Sequence, residues 1–208
     1  MREQKESEYS YLAGVDEVGR GPIAGPLTLA LFLIPKSKER AVQLLVRKLG
    51  GRDSKKMSER QRELFVHNMK KVLEEHRARV FFQSVSAKSI DRWGIPLALR
   101  SAMRSLLKKV ERAGISPRSV TFLLDAGIPS FPEMGHAESI IHGDEEVPLI
   151  SAASIFAKVH RGALMRRYDQ RYPHYGFAQH KGYGTRAHYE ALERYGLTPI
   201  HRESWLRK

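Results

Sequence analysis

Cysteine is absent from the 208-residue chain, which excludes disulfide bonds and thiolate-ligated metal sites. No apolar run approaches the ~18 residues of a membrane-spanning helix. The opening stretch MREQKESEYS is polar and charged, without the apolar core of a secretory leader. No basic amphipathic helix suited to a membrane surface stands out, and there is no internal repeat, low-complexity tract or linker. Acid is scarce too: 23 Asp+Glu stand against 36 Lys+Arg, a formal net charge of +13. That balance favours a polyanionic partner, through attraction to phosphate and release of its counterions. The length suffices for one well-cored domain. The expectation is a monomeric, cytoplasmic protein with a loose arm over residues 1–9 and a single domain over 10–208.

What the chain does have is concentrated first in Asp16-Glu17-Val18-Gly19-Arg20-Gly21-Pro22-Ile23-Ala24-Gly25-Pro26. Tyr11–Val15 before it and Leu27–Ile34 after it read as buried strands. Two adjacent carboxylates therefore stand where a strand runs into a turn rich in glycine and proline. Side chains alternate faces along a strand, so Asp16 and Glu17 share one site only if the backbone bends or bulges there. Glycine permits such a bend and lets a ligand approach the backbone closely. Two readings follow, a hairpin with a solvated acidic pair, or a metal-binding carboxylate site beside a backbone cradle.

Further along, Val42, Leu45, Val46 and Leu49 fall at helical spacing. Ser58 with Gln61 forms a capping-box start for a second helix. Arg79–Val85 suggests a third strand. A short helix over Ser86–Arg92 and a longer one after Pro96, with core residues Leu99, Ala102, Met103, Leu106 and Val110, follow it. Val120–Leu124 reads as a buried strand ending at Asp125, a common position for chemistry in helix-flanked sheets. The alternative for Asp125 is a turn cap. Ser139–His142 suggests one more strand, delivering Asp144 to a helix that starts near Pro148. The alternative for Asp144 is a partner of that helix's positive end. That helix carries Leu149, Ala153, Phe156, Ala157, Leu164 and Tyr168 on one stripe, with Ser151–Ser154 small enough for close packing. From Tyr172 onward aromatics alternate with bases, a composition suited to stacking on nucleic acid but also to core.

If Asp16, Glu17, Asp125 and Asp144 converge, their like charges raise one another's pKa unless cations neutralise them. Hard divalent ions with oxygen ligands are the natural solution, and Mg²⁺ suits phosphate chemistry.

The run DEVGRGPIAGP, followed in order by DSKKMSERQRELF, LLDAG, HGDEEVPLISAASIFAKVHR and GFAQHKGYGT, resembles the bacterial ribonuclease HII family over roughly residues 10–204. The resemblance implies an α/β ribonuclease H-like fold, with a central mixed five-stranded sheet flanked by helices. It implies catalysis by Asp16, Glu17, Asp125 and Asp144, which would hold two Mg²⁺ or Mn²⁺ ions. The substrates implied are RNA–DNA hybrids and duplex DNA carrying single ribonucleotides, cut to leave a 3′-hydroxyl and a 5′-phosphate. Gly19, Arg20 and Gly21 match the segment that senses the 2′-hydroxyl, Lys55 a phosphate contact, and Tyr183 a ring that stacks near the RNA–DNA junction. Three departures from the family pattern stand out: Ala126 lengthens the third acidic block by one residue, Gly94 replaces an asparagine, and Gly162 replaces an aspartate.

Two other functions compete with this one. A catalytically impaired nucleic-acid-binding relative would retain hybrid binding without metal-dependent cleavage. A nucleotide-phosphate binder is disfavoured, because Gly19, Gly21 and Gly25 miss the dinucleotide spacing and no phosphate-loop lysine motif is present. The related ribonuclease HIII carries an extra N-terminal domain for which this length leaves no room.

Overall fold

The computed structural model describes residues 9–51 and 54–206. All of the expected arm except Tyr9, together with Arg52 and Asp53 of the loop before Lys55, falls outside the described residues. Five strands form one mixed sheet in the order β3-β2-β1-β4-β5, comprising β1 (Tyr11–Val18), β2 (Leu27–Pro35), β3 (Arg79–Val85), β4 (Val120–Asp125) and β5 (His136–Ile140). The first three pair antiparallel, while β4 runs parallel to β1 and to β5. Strand β2 is a continuous apolar run because both of its faces are covered. Leu27, Leu29, Leu31 and Leu33 join one core, and Ala30, Phe32 and Ile34 join the other.

Helix α3 (Ala87–Arg112) covers the first face. It is two helices merged across Gly94, whose φ of 72° and ψ of 168° form a kink. Those angles are essentially reserved for glycine, which accounts for its presence at this position. Helices α1 (Glu39–Lys48), α2 (Glu59–Glu75) and α5 (Pro148–Arg171) cover the second face. The capping box of α2 forms as expected, with Ser58 Oγ accepting from the Gln61 amide at 3.2 Å and Gln61 Oε1 from the Ser58 amide at 2.7 Å.

Three expectations need correction. Strand β1 does not end at Val15 but runs through Asp16 and Glu17, in an unbroken register that pairs them with Ala30 and Leu29. No bulge is needed there. Strand β5 lies over His136–Ile140 rather than 139–142, because it pairs in parallel with Thr121–Asp125. Helix α5 does not bury a single stripe; every residue from Pro148 to Ala157 is buried. The reason is Gly14. A Cβ there would lie 2.2 Å from the Leu149 backbone carbon, so its absence lets α5 sit directly on β1. The small residues Ser151–Ser154 serve the same approach.

A third core closes the C-terminal region, where α6 (Phe177–His180) and α7 (Arg186–Tyr195) pack around Phe177, Tyr175, Ala24 and Met165. Tyr175 and Phe177 are therefore core residues, whereas Tyr183, Tyr189 and Tyr195 stay exposed.

Candidate active site

The β1–β4 ladder ends at Val15 paired with Leu124. Beyond that point β4 no longer separates the two faces of β1, so side chains from both can meet at the strand ends. Asp16, Glu17 and Asp125 do meet, with one carboxylate oxygen from each lying within 4.8 Å of the others. Asp144 comes from the short α4 (Gly143–Glu146), and the Gly143 amide donates to Asp125 Oδ1 at 3.1 Å, tying that helix to the end of β4. Asp144 lines the same cleft but stands outside the tight trio. Its carboxylate is held by Lys55 Nζ at 3.2 Å, and Lys55 also pairs with Glu145 at 3.4 Å.

The electrostatics are those of crowded, partly dried acids. Burial, with Glu17 and Asp125 beside it, pushes the Asp16 carboxyl up to about 7. Burial also raises Glu17, opposed by Arg20, whose Nε lies 2.5 Å from Glu17 Oε1. The second oxygen, Glu17 Oε2, is buried with no hydrogen-bond partner among the described residues. An orphaned carboxylate oxygen beside two further carboxylates is a donor set that fits a hard divalent cation.

The substrate-contact candidates surround these acids. Gly19, Arg20, Gly21, Lys55 and Tyr183 all line the acidic cleft. The Tyr183 ring lies beside Gly21, within 3.8 Å of where a Cβ on Gly21 would stand. It is brought there because the Ala24 amide donates to Gly182 O at 3.1 Å. Gly182 has φ 85°, and a Cβ on it would meet Ala24 O at 2.2 Å, so that docking demands glycine. The added Ala126 also has a local reason. Residues 125–128 close a turn through Ile128 N–H to Asp125 O at 3.2 Å, and Gly127 takes the positive φ that the third position of a type II turn requires. The Arg20 guanidinium lies over that glycine.

Lys158 was not singled out from the sequence. It lines the cleft, donates to Ser154 Oγ at 3.1 Å and to Ser54 Oγ, and is lowered by burial. Ser154 in turn lies near Asp16 and opposes the rise of its carboxyl. The four-residue spacing from Ser154 to Lys158 on a helix that begins just after Asp144 is a signal that could have found it.

A family model described as Ribonuclease HII matches residues 13–208. A ribonuclease HII of Clostridioides difficile is 39% identical over 201 residues, which cover 96% of this chain and 71% of the relative. One from Coxiella burnetii is 40% identical over 196 residues, covering 93% and 87%. Among solved structures, the ribonuclease H2 from Pyrococcus horikoshii superposes with a TM-score of 0.72 at 24% identity, covering 94% of this chain and 93% of that one. A chain from the PCNA:RNase HII complex of Archaeoglobus fulgidus gives 0.71 at 25%, with the same coverage. Among the described residues no helix is long and apolar enough to cross a membrane.

Proposed function

The chain belongs to the ribonuclease HII family, and from that premise we propose that it hydrolyses the RNA strand of RNA–DNA hybrids and incises 5′ of single ribonucleotides in duplex DNA. The products are a 3′-hydroxyl and a 5′-phosphate. The observation that carries this reading is the meeting of Asp16, Glu17 and Asp125 at the ends of β1 and β4, under the Gly19–Gly21 backbone and the Tyr183 ring.

Asp16, Glu17, Asp125 and Asp144 would hold two Mg²⁺ or Mn²⁺ ions. Bound there, such ions offset the negative charge that builds on a phosphodiester during in-line displacement. The residues of the chain do the rest. Asp125, locked by the Gly143 amide, fixes the distance between the β1 acids and Asp144. The Glu17 amide orients Asp16 by donating to its Oδ1 at 2.7 Å. Lys55, paired with Asp144 and Glu145 at the rim of the cleft, would contact a substrate phosphate. Arg20 braces Glu17 from the substrate side. The Gly19–Gly21 amides meet the ribose 2′-hydroxyl, and Tyr183 stacks on the sugar past it, so that RNA is told from DNA by a group only RNA has.

The test is a duplex with a single ribonucleotide, incubated with and without Mg²⁺ or Mn²⁺. Metal-dependent incision 5′ of the ribonucleotide is expected. Binding without cleavage under saturating metal would instead favour the impaired binding relative.

A further inference from the structure

Two guanidinium groups lie beneath the turn that follows the acidic pair, and among the described residues their hydrogen bonds go to carbonyl oxygens. Arg202 is wholly buried. It donates to Gly25 O at 3.2 and 3.0 Å, to Arg20 O at 2.7 Å and to Gly19 O at 2.6 Å. Arg161 donates to Pro26 O at 2.9 Å, Ala24 O at 3.2 Å and Lys181 O at 2.8 Å. Burial, and for Arg202 the neighbouring Arg161, lowers both to about 10, so both remain charged at neutral pH.

The consequence follows from peptide geometry. In a trans peptide the N–H and C=O point in opposite directions, and there is no cis peptide among the described residues. Capture of the Gly19 and Arg20 carbonyls from below therefore turns the Arg20 and Gly21 amides outward, toward the cleft. Among the described residues neither amide donates to a protein acceptor. Arg202 is itself pinned, its amide donating to Ile23 O at 2.8 Å. The next two amides, of Glu203 and Ser204, donate to Asp91 of α3 at 2.9 and 3.2 Å.

We propose that Arg202 is a positioning residue for ribose recognition: by holding the Gly19 and Arg20 carbonyls inward, it aims the paired Arg20 and Gly21 amides at the 2′-hydroxyl. This rests on the ribonuclease reading above. A lysine in its place keeps the charge, but its compact ammonium lacks the planar fork that spans three carbonyls. The peptide planes of the turn then rotate more freely, and the hydroxyl loses its fixed donors, while the carboxylates and the phosphate contacts stay in place.

The experiment measures binding of two labelled duplexes, one all-DNA and one with a single ribonucleotide, in Ca²⁺ to hold back cleavage. The ratio of the two affinities is the readout, alongside a calorimetric Mn²⁺ titration. For Arg202→Lys the ribonucleotide preference should fall about tenfold, the order expected for losing one aligned hydrogen bond. All-DNA affinity and Mn²⁺ affinity should change little. A parallel loss of all three would mean that Arg202 only holds the fold, and an unchanged preference would mean that the turn needs no such brace; either overturns the proposal. Should Arg202→Lys fail to fold, Asp91→Asn decides, because it loosens the backbone after Arg202 from a half-buried position outside the turn. A smaller loss of preference supports the proposal and an unchanged one overturns it. If the unaltered protein shows no ribonucleotide preference, the ribonuclease reading itself fails and this proposal with it; a preference that survives Arg202→Lys leaves that reading intact.

Discussion

On one side of the segment from Asp16 to Pro26, three carboxylates face one another with the Arg20 guanidinium at their edge. On the other side, Arg161 and Arg202 lie buried and, among the described residues, hydrogen-bond to carbonyl oxygens. Opposite charges thus occupy the two sides of one turn without pairing across it. Pairing them would stabilise the fold but leave the acids already neutralised and the turn free to swing. Kept apart, the acids remain available to cations from solution, and the arginines spend their donors on shaping backbone. Helix α5 serves both sides, with Ser154 and Lys158 toward the acids and Arg161 toward the turn. The acidic side keeps crowded, partly buried carboxylates, whereas the guanidinium donors of the basic side are satisfied by backbone.

The largest expected effect breaks the acidic side. Asp16→Asn or Asp125→Asn should lower cleavage by more than about a hundredfold, since even outer-shell partners of a metal site cost up to that much. Because like charges crowd there, Asp16→Asn should also raise the melting temperature of the metal-free protein at pH 8. A variant with near-normal turnover under saturating Mg²⁺ would remove that residue from the site.

A second prediction uses pH to separate the two sides. Asp16, ordinarily near 3.8, is raised to about 7 in the fold. Its contribution to stability is therefore complete below 3.8 and lost as pH rises through 7. Behind the turn, His188 is lowered by burial from 6.5 to about 4. Its Nε2 lies 3.0 Å from His201 Nε2, and its Nδ1 is 2.9 Å from Tyr183 O. Its contribution is present above 6.5 and lost as pH falls toward 4, by about 2–3 kcal/mol. In the metal-free protein the two trends oppose each other across this window. Asp16→Asn removes one of them, so its melting temperature should fall more steeply between pH 6.5 and 4 than that of the unaltered protein. Parallel melting curves against pH would refute the assignment.

The smallest effect tests the shared helix. A Cβ on Gly162 would lie 3.5 Å from Glu59 Oε1 and 3.8 Å from Arg166 Nη1, ordinary contact distances. Gly162→Ala should therefore stabilise by about 1 kcal/mol through helix propensity. The family-like aspartate would place a carboxylate beside Glu59, so Gly162→Asp should gain less. Thermal melts of both variants check the order, with hybrid cleavage unchanged in each.

Local patterns in the chain were sufficient for much of the fold. The Ser58–Gln61 cap, the Arg79–Val85 strand and the break at Gly94 depend on residues close in sequence, and periodicity and turn chemistry register such neighbours directly. Strand β5 was misplaced because its bounds come from pairing with β4, a contact that local patterning does not encode. The acidic pair was legible as a candidate site, but the need for a bulge was not real. The faces of β1 come together where its ladder with β4 ends, and only the sheet register reveals where that is.

By itself, the sequence determined the chemistry on offer: no thiolates, a surplus of bases, four acids on three separated segments, and glycines at the turns. It also carried the resemblance that assigns those acids a role. The tertiary structure decided which groups meet. It drew Asp16, Glu17 and Asp125 together while leaving Asp144 on Lys55, and it let α5 approach β1 through Gly14 so that Lys158 reached the cleft. It also placed Arg202, 182 positions along the chain from Arg20, under the backbone that Arg20 belongs to. Charges in a linear chain show no preference between carboxylate and carbonyl partners. That choice is made by burial, which makes an unpaired guanidinium too costly and turns the nearest backbone toward it.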